Sequence, residues 1–188
     1  IYPLYILFLL FFWRYINQKE GSMLPLAIAA GITAYFYTFL FMAVIATLGV
    51  YFLALLLRRN WSDLRRVFVT GIIAVGVSLP YIAYTFFLSL REFYTETLAR
   101  NSLSYSHWPQ IEAYYYGRWI LLVLLLVYLL RRYCPDKVSS ATHFFVTITG
   151  VGLLLAMVSN IFTGRDFEIA VHIARFGILW YLMTGVII

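Results

Sequence analysis

The 188-residue chain is 63% hydrophobic and 12% charged, with a formal net charge of +6; soluble domains are roughly 45–50% apolar and 25% charged, so the composition excludes a soluble domain and marks an integral membrane protein. The basic excess does not call for nucleic acid, because it is concentrated in three short segments, 14–22, 58–66 and 131–140, where Arg and Lys outnumber Glu20, Asp63 and Asp136. The single Cys134 excludes an internal disulfide, and neither a zinc-type spacing nor a glycine-rich phosphate loop is present.

Residues 1–13 form an apolar run closed by Trp13, Arg14 and Tyr15, the aromatic and basic residues of a membrane interface. The chain opens without Met inside this run and stops inside another, so 1–188 is expected to be a single transmembrane domain cut from a longer chain, with truncated first and last helices. Residues 23–57 are then apolar throughout. As one helix they would reach about 50 Å, whereas a bilayer core is about 30 Å thick. A break is therefore required. The window 31–38, with Gly31 followed by Thr33, Tyr35, Tyr37 and Thr38, supplies hydroxyls for freed backbone groups. The flanks of the run are both basic, which places both in the cytoplasm and makes 23–57 a broken hairpin: a short helix to about Ala34, a turn at 35–38 and a full helix from Phe39.

The basic loop 58–66 precedes an outgoing pass from Val67 to about Leu90 that carries Gly71, Gly76 and Pro80, the last expected to kink it. Residues 91–117 read as an outer loop containing His107, Trp108, Glu112 and the run Tyr114, Tyr115, Tyr116. The next helix, 118–130, is short enough to recruit those tyrosines as its outer turn. Loop 131–140 is cytoplasmic, 141–159 returns outward with Gly150 and Gly152 offering close helix approach, 160–175 is a second outer polar loop, and Phe176 begins the last descent. The fold class is thus an all-α polytopic transmembrane bundle of about seven hydrophobic passes.

The second outer segment holds the best candidates for chemistry. Were it helical from about Asp166, Glu168 and His172 would lie four apart with Arg175 three further on, bringing a carboxylate, an imidazole and a guanidinium to one face. Arg contacts phosphate oxygens in bidentate fashion and His exchanges a proton near neutral pH, so the trio suits a phosphate. The alternative is an interfacial loop whose charges pair with each other and with water. Glu168 and His172 lack a third donor for a metal. His107, Trp108 and the tyrosine run fit either an interfacial aromatic belt or a surface that stacks on sugar rings.

The pattern of Gly31, Tyr35, Tyr37 and Thr38 in a doubled hairpin, followed by a basic loop and by Ser78-Leu79-Pro80-Tyr81, resembles the middle of bacterial polytopic membrane glycosyltransferases of the GT-C type. A second similarity is to bacterial membrane proteins with an Asn-x-x-Thr-Gly outer loop followed by an aromatic or His position, here Asn160, Thr163, Gly164 and His172. The resemblance implies transfer of a sugar from a polyprenyl-phosphate donor on the outer face of the bacterial cytoplasmic membrane. The catalytic acid of such enzymes lies in a first outer loop, to which no position here corresponds. This piece would instead line the donor-phosphate or acceptor pocket through Arg165, Asp166, Glu168, His172, Arg175, Tyr35 and Tyr37. Expected partners are membrane lipids and a lipid-linked sugar donor. No cofactor is evident in these residues, which leaves room for a divalent metal in the complete protein. Two other classes stand beside this one: a lipid or polysaccharide transporter using the 31–38 break as part of a pathway, and a non-catalytic membrane subunit.

Overall fold

The structure, a computed structural model, describes residues 1–17, 21–91, 93, 104–105, 107–163, 165–166 and 169–188. Among them the chain is helical almost throughout: α1 (Tyr2–Ile16), α2 (Met23–Phe36), α3 (Thr38–Leu57), α4 (Trp61–Ser89), α5 (Ile111–Tyr133), α6 (Ser140–Met157), the single turn α7 (Asn160–Thr163) and α8 (Ile169–Ile187). Five of these, α3, α4, α5, α6 and α8, are long and apolar enough to cross a membrane. The protein is an all-α bundle of membrane-spanning type. α1 and α2 are apolar but shorter, at 15 and 14 residues.

Packing partners give the direction of each pass. Gly31 of α2 abuts Ala74 and Val77 of α4, and Thr38 at the start of α3 meets Tyr81, so α2 and α4 run the same way. Thr47 of α3 faces Gly152 of α6 while Tyr51 packs on Phe144, so those two run oppositely. Gly117 touches Leu154 and Leu124 touches Gly150, which makes α5 antiparallel to α6. Along the chain, α1 to α6 and then α8 alternate in direction, giving the bundle one end bearing Tyr37 and another bearing Arg58.

The break in 23–57 is one residue wide. Tyr37 is extended at φ −166° and ψ 114° between two helices that reverse direction across it. Gly31 is not the breaker. It sits inside α2, where a Cβ would come within 2.6 Å of the Ala74 carbonyl oxygen, so its role is close packing against α4. The expected proline feature lies within a continuous α4, and the Tyr35 hydroxyl donates to the Val77 carbonyl at 2.8 Å, next to the Gly76 carbonyl that Pro80 deprives of its amide donor.

The loops are tighter than their charges suggest. Helix α4 starts at Trp61, inside the expected 58–66 loop, with the Asn60 side chain accepting from the Asp63 amide. Its 29 residues span about 43 Å, longer than the hydrocarbon layer, so its basic first turns protrude as helix rather than as loop. Helix α5 begins at Ile111 and absorbs the tyrosine run, and α8 begins at Ile169 rather than Phe176. Most of the described residues in the expected 160–175 loop are therefore in regular structure. They form α7, a two-residue strand β2 (Arg165–Asp166) and the first turns of α8.

The core is aromatic. Phe8 and Phe12 of α1 stack with centroids 5.7 Å apart, Phe12 meets Tyr51 edge-on at 5.4 Å, all three are buried, and Phe12 also packs on buried Phe145 of α6 at 5.9 Å. On the other side of α6, buried Trp180 of α8 lies over Gly150 and donates to the Thr149 hydroxyl at 2.7 Å. Apolar side chains on the outer faces of α4 and α5, such as Phe68, Ile72, Leu122 and Leu125, are exposed, as a lipid-facing surface requires.

Candidate functional site at the Tyr37 end

Two polar segments far apart in sequence are sewn together at this end. Strand β1 (Ser104–Tyr105) pairs antiparallel with β2, Ser104 opposite Asp166 and Tyr105 opposite Arg165. A His107 ring nitrogen donates to the Ile161 carbonyl at 2.8 Å, Asn160 to the Trp108 carbonyl at 2.6 Å, and the Ala170 amide to the Gln110 side chain at 3.1 Å. The last bond caps the first turn of α8, which fixes where His172 and Arg175 stand.

From that turn His172 reaches the helix break. Its Nδ1 is hydrogen-bonded to the Tyr37 hydroxyl, and Phe39 stacks flat on the imidazole at 4.4 Å and 5°. Arg175, one turn further along α8, is exposed and in no ion pair among the described residues. Tyr37, His172, Arg175 and Phe176, with Ile1 and Tyr2, line a cleft of about 270 Å³. Burial pushes the Tyr37 phenol above its ordinary pKa, against the pull of the Arg175 guanidinium beside it. The phenol is thus a neutral donor at physiological pH. When it donates to Nδ1, the imidazole carries its proton on Nε2, and the Arg175 guanidinium brings a fixed positive charge to the cleft. Comparison with protein-family models, curated proteins and solved structures finds no match to this chain.

The seven sequence candidates divide accordingly. Tyr37, His172 and Arg175 come together. Tyr35 does not join them: its hydroxyl is spent on Val77 and its ring packs on Tyr81, 5.6 Å away. Arg165 and Asp166 are in β2 and not on a helical face, so the expected helix from Asp166 is corrected to one from Ile169, because the backbone of 165–166 pairs with β1 instead of continuing a helix. Glu168 and Gly164 lie outside the described residues. Phe39 and Phe176 were missed by sequence reasoning. Phe176 carried a readable signal, standing four residues after His172 and so on the same helical face. Among the described residues no three of His, Cys, Asp and Glu converge to hold a metal.

Proposed function

We propose that the Tyr37, His172 and Arg175 cleft binds the phosphate of a lipid-linked sugar, as one wall of the substrate cavity of a GT-C-like glycosyltransferase acting on the outer face of a bacterial cytoplasmic membrane. The observation that carries this reading is the convergence of Arg175 and His172 on the residue where the 23–57 hairpin turns. An anion with acceptor-only oxygens suits a guanidinium that is in no ion pair among the described residues, standing beside a phenol–imidazole pair. The volume suits a headgroup, being below the roughly 300–1,000 Å³ of pockets that enclose a whole small ligand. Transport through a discontinuous helix has less support: such helices break near the bilayer midplane, whereas Tyr37 stands at the end of the bundle where the chain turns back.

The test is the affinity of the full-length protein in nanodiscs for a polyprenyl phosphate. Because Arg175 is exposed, Arg175→Ala should weaken binding by about 1.5 kcal/mol, roughly tenfold, the low end for hydrogen bonds to charged groups. Arg175→Lys should restore part of the loss, keeping the charge without the bidentate fork. Unchanged affinity in a folded Arg175→Ala protein would refute the reading.

A further inference from the structure

Helices α3 and α4 leave the 58–60 turn side by side and then part, because α4 packs along α2 at Gly31 whereas α3 packs on α6 at Gly152. Between them lies an apolar groove of about 430 Å³, with Ile45, Gly49 and Phe52 on one wall and Phe68, Gly71 and Ile72 on the other. The two glycines hold it open, since a Cβ at either would meet nothing within 4 Å.

The groove leads to positive charge. Trp61, Arg65, Phe68 and Ile72 are spaced by four, three and four residues and so form one stripe of α4, with Arg65 a turn nearer the basic end than the groove-lining Phe68. Arg59 stands in the adjoining turn at φ +53°, where the Asn60 amide donates to the Leu55 carbonyl and the Arg59 amide to that of Leu56. This is the left-handed helix-ending position that glycine fills without strain. The other two arginines of the segment are engaged, Arg66 with Asp63 at 3.2 Å and Arg58 over the Phe144 ring at 4.2 Å. Among the described residues Arg59 and Arg65 have no carboxylate partner.

We propose that this groove is a binding site for an anionic phospholipid, with an acyl chain between α3 and α4 and the phosphate on Arg59 and Arg65. The lengths agree. From Arg65 to Val75 the helix rises about 15 Å, half of a hydrocarbon layer of about 30 Å, which is the depth of one leaflet. Trp61 takes the headgroup level, where tryptophan concentrates. A zwitterionic lipid would fit the groove but set its own cation beside two guanidiniums, and a transmembrane helix would cover the groove without answering the arginines. This site is at the opposite end of the bundle from the Tyr37 cleft and is independent of its function.

Native mass spectrometry of the full-length protein, released from detergent and titrated with phosphatidylglycerol or phosphatidylcholine of matched chains, tests the site. Phosphatidylglycerol should be retained in preference. Arg59→Gln combined with Arg65→Gln should weaken its retention about thirtyfold, from about fivefold per basic residue at a membrane surface, and leave phosphatidylcholine unchanged. Gly71→Leu and Gly49→Leu, two independent ways of filling the groove, should each lose both lipids while the protein stays folded by circular dichroism. Unchanged phosphatidylglycerol retention in the double arginine variant would overturn the proposal. So would leucine variants that keep their lipid, including any that keep it while losing contact with another transmembrane helix.

Discussion

Helices α3 and α6 approach closely at Gly152, which gives a quantitative test of their packing. In Gly152→Ala the new Cβ would lie 2.5 Å from the Thr47 Oγ1, 2.7 Å from its Cα and 2.9 Å from its amide nitrogen. Two of those atoms are backbone, so relief requires the helices to move apart. Overpacking of this kind costs about 1–3 kcal/mol. Against it stands a gain of about 0.5–1 kcal/mol from replacing a helical glycine by alanine. The net expectation is a loss of about 0–2.5 kcal/mol, taking the difference of those ranges, and a deficit of about 1–3 kcal/mol relative to a glycine-to-alanine change that meets no neighbour. Gly49→Ala on α3 supplies the control, because its Cβ meets nothing within 4 Å and only the propensity gain applies. The difference between the two variants therefore isolates the overpacking term. Reversible unfolding by SDS titration from mixed micelles, followed by helical circular dichroism, measures both. Gly152→Ala as stable as Gly49→Ala would show that the two helices do not cross in this way.

Arg131 tethers the α5 to α6 turn by donating to the Pro135 carbonyl at 3.0 Å, the Val138 carbonyl at 2.8 Å and the Ser140 hydroxyl at 2.7 Å; Arg131→Ala should cost about 1.5 kcal/mol in the same titration. Exposed Arg132→Ala should stay within about 0.5 kcal/mol, and equal effects would remove Arg131's assigned role. Orientation is read by thiol labelling: the exposed native Cys134 should resist a membrane-impermeant reagent in intact cells and react after permeabilisation. In a Cys134→Ser background, a cysteine at Ser104 or Thr163 should label in intact cells, and the reverse pattern would invert the topology.

Much of the fold was legible because it is written in hydropathy and charge, which recur along the whole chain. The need for a turn between 23 and 57 followed from length alone, but its position did not. Five residues in the 31–38 window looked able to break a helix, and only the fit of Gly31 against α4 shows that this glycine serves packing instead. The ends of α4 and α8 were misplaced for a different reason. Hydropathy reports where lipid is, whereas the helix continues into water as long as its backbone bonds and caps allow, as at Asn60 and Gln110. The candidate site was half legible. His172 and Arg175 stand three apart and share a face by arithmetic, but their meeting with Tyr37, 135 residues from His172, depends on how α8 docks beside the hairpin. The strand pairing that removes Asp166 from a helix is likewise a contact between distant segments with no local signal.

Helix α6 has the largest buried share of the membrane-crossing helices, and it buries Thr142, Thr149, Gly150 and Gly152 among its neighbours. It is also made late. On the ribosome, the faces of α1 and α3 that it will cover, with Phe12, Thr47 and Tyr51, emerge first and remain uncovered through the synthesis of α4 and α5, a wait of several seconds at about 5–20 residues per second. Assembly in the membrane is thus not sequential: the early helices are held open until their keystone arrives, and a nascent chain stalled after α5 exposes to lipid the surface on which the finished bundle depends.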